Sequence, residues 1–467
     1  MLVVFVHGWS VTNTNTYGGL PAALAKNAPP DLKITIAHLY LAKYVSFADE
    51  VTMDDIARGM QNAVTAEILP KLKGGRFACI THSTGGPVVR KWIDVFFRGN
   101  LKNCPLGHLI MLAPANHGSA LAQLGKSRLA RMKFFTAGVQ PGKGTLDWLE
   151  LGSDQSWELN VQWMSYDCVP AGLYPFVLTG QTIDRSLYDN LNTYTGEAGS
   201  DGVVRVAAAN MNYGLVRLVQ KDGAFNLKKI DRTAKTALGV LPGRSHSGKD
   251  IGILTSVRSN DKGTHPTLQW VLRCLTVSDA DSYNTVATQL DALTSQTQES
   301  EKEETVTELF VFERTFITNR YCMFVFRITD DRDTELSDYD VVFTAGPDYN
   351  ENHLPPGFFV DRQRNQINPG KLTYYIDYDL MTDWLNKPEL EGKFGFRITA
   401  QPTKGFAHYT AAEHQGTLSQ LKQYFAPNQT LRVDGQHRRH VYEGVFRLTQ
   451  KLKSEDFRKQ EKGEEIP

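Results

Sequence analysis

Apolar residues open this chain in an unbroken run, LVVFVH from Leu2, and comparable runs recur at 33 to 39, 76 to 81 and 107 to 113. Between them, at 53 to 72 and 84 to 98, apolar positions return every three or four residues. Continuous short runs predict strands buried on both faces, and the helical period predicts amphipathic helices. Strand and helix alternate in this way up to residue 275, which predicts an α/β domain built on a mostly parallel sheet flanked by helices. The pattern then changes. Residues 276 to 305 are polar, poor in aromatics and acidic at their end, and read as a linker, partly helical. From 306 to 450, runs with period-two character (TELFVFERTF, YCMFVFRITD, YDVVFTAG, KLTYYIDYD, KFGFRITA, VYEGVFRLT) are punctuated by Pro, Gly, Asn and Asp. They predict a smaller all-β, sandwich-like domain. Residues 451 to 467 are too charged to bury and read as a loose tail.

Composition narrows the classes of function. The 467 residues accommodate one large domain and a smaller one. Lys plus Arg and Asp plus Glu each number 51, a balance that excludes a general affinity for nucleic acid. The five cysteines are odd in number and scattered, with no CxxC pair and no metal-ligand spacing, so they read as core thiols of a protein kept reduced. The run at Leu2 has neither a basic region nor a cleavage site before it, and is expected to be a strand rather than a signal peptide. No apolar run approaches the roughly 18 residues that span a bilayer. Synthesis in the cytoplasm is the expectation, with any export by a route that needs no cleaved signal.

The candidate chemistry centres on RFACITHSTGGPVVRKW, where a predicted strand ends, a sharp turn carries Ser83, and a helix follows. In this layout a tight turn holds a serine hydroxyl above the sheet while the helix start aims backbone N–H groups at a developing oxyanion. The usual pattern is Gly-x-Ser-x-Gly; here Thr81 stands in place of the first glycine. The Thr84 N–H is one candidate oxyanion donor, and the Trp9 N–H, after the Gly8 turn that ends the first strand, is the second. An acid and a base should follow in the chain. Asp201, in the turn GSDGVV, is the favoured acid and Asp184, in GQTIDRS, the alternative. His246, in GRSHSGKD, is the favoured base; His265, ahead of Pro266, reads more simply as a helix start. His82 is expected to line the pocket rather than to act as base.

The strings VFVHGWS, THSTGG, LIMLAPANHGSALA, GSDGVV and GRSHSGKDIGI together resemble bacterial lipases and phospholipases of the α/β-hydrolase superfamily, including lipase effectors of type VI secretion. The resemblance covers roughly residues 1 to 275. It implies a serine carboxylic ester hydrolase acting on lipid, with Ser83, Asp201 and His246 as triad, Trp9 and Thr84 as oxyanion donors, and no metal or organic cofactor. The alternatives are a small-ester esterase, amidase or peptidase on the same scaffold, or a non-catalytic protein that binds through its β domain. The expected partners are the ester itself, a membrane surface, and a secretion or immunity protein. Residues 114 to 165, with Leu129, Met132, Phe134 and Phe135 interleaved by Lys and Arg, have the composition of either a lid or an ordinary half-buried helix. In NHLPPGFF, Phe358 and Phe359 read either as an apolar contact tip or as core.

Overall fold

A computed structural model describes residues 1–7, 16–40, 50–125, 142–183, 197–308 and 312–442. The first apolar runs become β1 (Leu2–His7), β2 (Thr35–Tyr40), β3 (Phe77–His82), β4 (Leu106–Leu112) and β5 (Tyr174–Thr179). Two further strands, β6 (Gly214–Lys221) and β7 (Ala224–Arg232), leave for another sheet before β8 (Ala237–Val240) returns to this one. The order is β2–β1–β3–β4–β5–β8, with every pairing parallel. Every residue of β4 and β5 is buried. A parallel strand covered by helices on both faces has no solvent side, which is why these segments are continuously apolar instead of alternating.

Some of the helices begin at side-chain caps. Helix α1 covers Leu20–Asn27, and α2 (Met53–Ala63) starts at a capping box in which Asp55 N donates to Thr52 Oγ1 and Thr52 N donates to Asp55 Oδ2. The helix expected over 53 to 72 ends early as an α-helix: a wider turn at Val64–Ile68 and a tighter one at Leu69–Lys71 carry the chain past Pro70, which has no N–H to donate. Helix α3 (Gly85–Phe97) follows the serine turn and buries Val88, Val89 and Trp92. Helices α4 (Asp154–Trp163) and α5 (Pro266–Leu275) complete the layers used below.

The segment expected to be a partly helical linker is helical over most of its length, as α6 (Ala280–Ser300), started by an Asp279–Ser282 capping box. Tyr283, Val286, Ala287 and Leu290 form one buried stripe against the parallel sheet. The Tyr283 hydroxyl accepts from Ala237 N at 3.0 Å and donates to the Pro175 carbonyl at 2.7 Å, while Thr294 Oγ1 accepts from Val240 N at 3.0 Å. Helix α6 thus covers the exposed edge of the sheet at β8.

Where they are described, the period-two runs form strands: β9 (Glu303–Glu308) and β10 (Phe312–Ile317) pair antiparallel, followed by β11 (Tyr321–Asp330), β12 (Tyr339–Ala345), β13 (Phe359–Arg364), β14 (Lys371–Asp377) and β15 (Lys393–Ala400), while the run VYEGVFRLT and the charged tail lie, after Tyr442, outside the described residues. The short β16 (Ala407–His408) pairs with β19 (His440–Val441), and β17 (Ala412–Thr417) and β18 (Thr430–His437) lie between them in the chain. A mixed sheet of nine strands runs β12–β15–β17–β7–β6–β18–β11–β14–β13. It curls so far that Phe343 of β12 and Tyr374 of β14 meet at 5.1 Å between ring centroids, with Phe324, Phe326, Phe394 and Phe396 in the same core. That curl gives the module its sandwich-like character. Helices α7 (Tyr378–Leu385) and α8 (Leu418–Lys422) pack on this core through Met381, Leu385, Leu418 and Leu421.

Two strands at the centre of the mixed sheet, β6 and β7, come from before residue 275, so the expected boundary there does not separate the two sheets. Along β11 the side chains alternate between two cores: Cys322, Phe324, Phe326 and Ile328 enter the aromatic one, while Tyr321 and Met323 join the cluster that contains α3. Around β11 and β14 the second face of the mixed sheet is buried against the layer that contains α3, through Tyr321, Met323 and Tyr375. Phe358 is core, at 1% exposure, whereas Phe359 is half open at 45%, so the NHLPPGFF segment contributes one ring to each environment. The residues of the lid reading from 126 to 141 lie outside the described residues.

No helix among the described residues is long and apolar enough to cross a membrane. All five cysteines are buried and unbridged, and burial pushes the thiols up, to about 11 at Cys104 and about 12 at Cys168.

A chain ending at residue 275 loses the Tyr283–Leu290 stripe and every partner of β6 and β7 outside their own hairpin. Each large apolar side chain returned to water costs about 1.5–3 kcal/mol, so a few of them consume the whole of a typical domain stability of about 5–15 kcal/mol. The truncated chain is expected to show no cooperative thermal transition by circular dichroism. A sharp melt together with ester hydrolysis would show that the first 275 residues fold independently.

Candidate active site

Strand β3 ends at His82, and the chain reverses at Ser83 with φ +53°, a left-handed conformation rare for a residue with a side chain. The turn is fixed on both sides. Ser83 N donates to the Leu112 carbonyl at 3.0 Å, and the Ser83 carbonyl accepts from Gly86 N and Ala115 N, both at 3.3 Å. The two glycines are required by space: a Cβ at residue 85 would stand 3.1 Å from Thr81 Cβ, and one at residue 86 would stand 2.7 Å from Pro114 Cβ. Thr81, the departure from the usual pattern, is fully buried, and the room it needs is left by the missing side chain of Gly85. The hydroxyl of Ser83 is consequently lifted to the C-terminal edge of the parallel strands, where ligands of such sheets bind.

Asp201 sits in a turn between Glu197 and Arg205 and is completely buried. Its Oδ1 accepts from Val203 N at 3.0 Å and Val204 N at 2.8 Å, leaving Oδ2 to face the loop after β8. There His246 Nδ1–H donates to Oδ2 at 2.9 Å, and His246 N donates to the Asp201 carbonyl, also at 2.9 Å. The carboxylate therefore sets the imidazole tautomer: Nδ1 carries the proton and Nε2 is left as the basic nitrogen. The sequence places an apolar run, VVRV, after Asp201, and the structure makes of its end a short helix, Val206–Ala209, instead of a strand. Ser119 supports the same turn by donating to the Val203 carbonyl at 2.6 Å while accepting from Leu121 N at the start of the next helix.

The ring of His82, expected to line the pocket, lies against that of His246, centroids 4.6 Å apart, and its Nε2–H donates to the His246 carbonyl at 3.3 Å. Burial, and then the neighbouring His246 ring, hold its pKa well below the usual histidine value, so it stays neutral beside His246. Thr84 follows the serine at the entrance to α3, is buried, and its N–H has no acceptor among the described residues. Tyr17 escaped the sequence reading: its hydroxyl donates to the Val6 carbonyl at 2.6 Å, with the Ile80 carbonyl at 3.2 Å, and so spans the ends of β1 and β3 beside the site. Its position inside an unremarkable NTYGG segment gave no signal.

The structure thus brings Asp201 and His246 into contact and puts Ser83 on a strained turn, with His82 against His246. It does not bring in His265, which precedes α5 as expected and whose Nε2 faces Ser256 Oγ at 3.3 Å. Trp9 and Asp184 lie outside the described residues. Among the described residues no group of three or more His, Cys, Asp or Glu side chains has metal-site geometry.

No protein-family model matches this chain, and no curated protein sequence matches it. Solved structures do. Phospholipase PlaB from Legionella pneumophila in complex with thio-NAD is 52% identical, with a TM-score of 0.90, over 100% of this chain and 100% of its own. A second structure of the same phospholipase gives 53% identity and a TM-score of 0.90 over 98% and 97% of the two chains. The mature lipase BlEst2 of Bacillus licheniformis is far more distant, at 20% identity and a TM-score of 0.30 over 44% of this chain and 78% of its own. With its parallel sheet, its serine turn and an identity of 52% along the whole of both chains, this protein belongs to the family of the Legionella pneumophila phospholipase PlaB and is a serine carboxylic ester hydrolase of the α/β-hydrolase fold.

Proposed function

We propose that the protein is a phospholipase that cleaves the carboxylic ester bond of a glycerophospholipid through Ser83, His246 and Asp201. The observation that carries this reading is the 2.9 Å bond from His246 Nδ1–H to Asp201 Oδ2, with the ring of His82, the chain neighbour of a serine held at φ +53°, 4.6 Å from that of His246. His246 Nε2 takes the Ser83 proton as Oγ attacks the ester carbonyl carbon. The carbonyl oxygen becomes an oxyanion, and the N–H groups of Thr84 and Trp9 are assigned as its donors, with the N-terminus of α3 adding its dipole. The carbon–oxygen bond of the leaving lysophospholipid then breaks, and its oxygen receives the proton held on Nε2. Water, deprotonated by the same nitrogen, attacks the acyl-enzyme; the fatty acid departs and the proton returns to Ser83. The donor pair on Asp201 Oδ1 keeps that carboxylate aimed at Nδ1 throughout.

The chemistry of the triad leaves the leaving group open, and the phospholipid substrate is taken from the relative's own activity. Products released from mixed phospholipid vesicles, read by mass spectrometry, decide it: free fatty acid and lysophospholipid are expected. Release of acyl chains from soluble short esters only would make the enzyme a small-ester esterase.

Ser83→Ala is expected to retain the fold and lose essentially all turnover, together with labelling by a fluorophosphonate probe, because members of a triad act as a unit and their loss costs several orders of magnitude. Undiminished hydrolysis by that variant would remove Ser83 from the mechanism.

Asp201→Asn should lower kcat on the order of 10⁴-fold by favouring the other imidazole tautomer, as in the serine-protease template. His265→Gln, acting at a helix start 3.3 Å from Ser256, should change kcat little. The opposite ranking of the two variants would move the base to His265.

A further inference from the structure

We propose that Arg205, Asp361 and Tyr375 are positioning residues for ester hydrolysis, through which the mixed sheet holds the Asp201 turn in place; the proposal rests on Asp201 being the acid of the triad.

The turn from Glu197 to Arg205 carries one candidate catalytic side chain and is fastened at several other points. Arg205, 2% exposed, closes its base by a two-pronged pair with Glu197, Nε to Oε2 at 2.7 Å and Nη2 to Oε1 at 2.8 Å. The same Nη2 donates across the domain boundary to Asp361 Oδ2 of β13 at 2.5 Å. The guanidinium carbon lies 4.1 Å from the centroid of the Tyr375 ring on β14. That ring stacks on Tyr321 of β11, and its hydroxyl donates to the Ala198 carbonyl, inside the turn, at 3.0 Å.

No slack remains between turn and sheet. Gly199 has φ +73°, and a Cβ placed on it would stand 2.3 Å from Tyr321 Cδ2 and 2.5 Å from Tyr375 Oη. Two residues further on, the turn offers its carboxylate and its main-chain carbonyl to His246. A continuous chain of contacts therefore leads from β13 and β14 through Arg205 and Ala198 to the base.

The charges suit a positioning role. One buried guanidinium answers two carboxylates, of which Glu197 alone satisfies it bidentately, so the fold does not require Asp361 as its counter-ion. What Asp361 adds is a fixed point on the other sheet. A hydrogen-bonded base tolerates little drift, since about 1 Å of misplacement costs up to about 100-fold in rate.

The test uses the full-length enzyme and a soluble short-chain ester, so that membrane binding does not enter. Asp361→Asn and Tyr375→Phe are each made alone and in the Asp201→Asn background, with thermal melts to verify folding. Each single variant is expected to lose about tenfold or more in kcat with KM nearly unchanged. Neither should reduce kcat further once Asp201 is Asn, because the group they position is already disabled. Unchanged kcat in both single variants, or the same fold-loss in both backgrounds, overturns the proposal. Failure of the triad reading is visible separately, as full activity of Asp201→Asn alone. Tyr375→Phe removes only a hydroxyl and keeps the ring on Arg205, so it decides the matter even if Asp361→Asn does not fold.

Discussion

Tyr321, Met323 and Tyr375 project from the mixed sheet into the same apolar cluster as Val88, Val89 and Trp92 of the helix behind the serine, and neither surface could face water without the other. Burial of this kind is non-directional, yet once two sheets share it their relative position is fixed by close packing. The polar features of the interface follow from that position. Lys371, at 1% exposure, pairs with Asp154 across the boundary and with Glu335 on its own side, and Asn365 donates to the Leu151 carbonyl at 3.1 Å. Removing one partner of a buried ion pair leaves an uncompensated charge, so such pairs record a fixed docking rather than cause it.

Within that frame the site uses strain sparingly. A left-handed serine costs on the order of 1–3 kcal/mol, and the cost is met locally by hydrogen bonds from the serine backbone to the end of β4 and the loop after it. The turn that carries Asp201, in contrast, has glycine at its two positive-φ positions, Gly199 and Gly202; the Asp201 carboxylate is enclosed by donors, and His246 is held by its backbone as well as its ring. The Ser83 turn is thus bonded to β4 and the loop after it, whereas the Asp201 turn is fastened to the mixed sheet through Arg205 and Ala198.

Much of this was legible in the sequence. The strand-turn-helix around Ser83 is compressed into a few residues whose steric demands are local, and there Gly85, Gly86 and the apolar β3 run say what the fold must do. Asp201 and His246 were readable as turn residues flanked by glycine, although their contact spans 45 positions. Two features were only partly legible, for physical reasons. The stripe Tyr283, Val286, Ala287, Leu290 has the helical period, but the other faces of α6 are so polar that the average composition resembles a linker. The segment GLVRLVQK-DG-AFNLKKIDR carries a hairpin signal in its Asp222–Gly223 turn, with φ of 52° and 79°, yet an alternating α/β pattern on either side invites assignment to the parallel sheet. Arg205 was overlooked inside VVRVAAA, where a charge in an apolar run can be buried only if it is paired, and its partner Asp361 lies 156 positions away.

The parallel pairing of β6 with β18 joins Gly214 to Leu431, and it imposes an order of events on the birth of the molecule. A ribosome adding roughly 5–20 residues per second needs on the order of tens of seconds to travel from one strand to the other. During that interval the apolar face and open edge of β6 have no neighbour on the β18 side, a state prone to wrong pairing with other chains. Long-range parallel pairings are also slow to form once both strands exist. Folding of this enzyme is accordingly a late event that waits for the last described strands, and the nascent chain is a natural client for chaperones that shield unpaired strand edges.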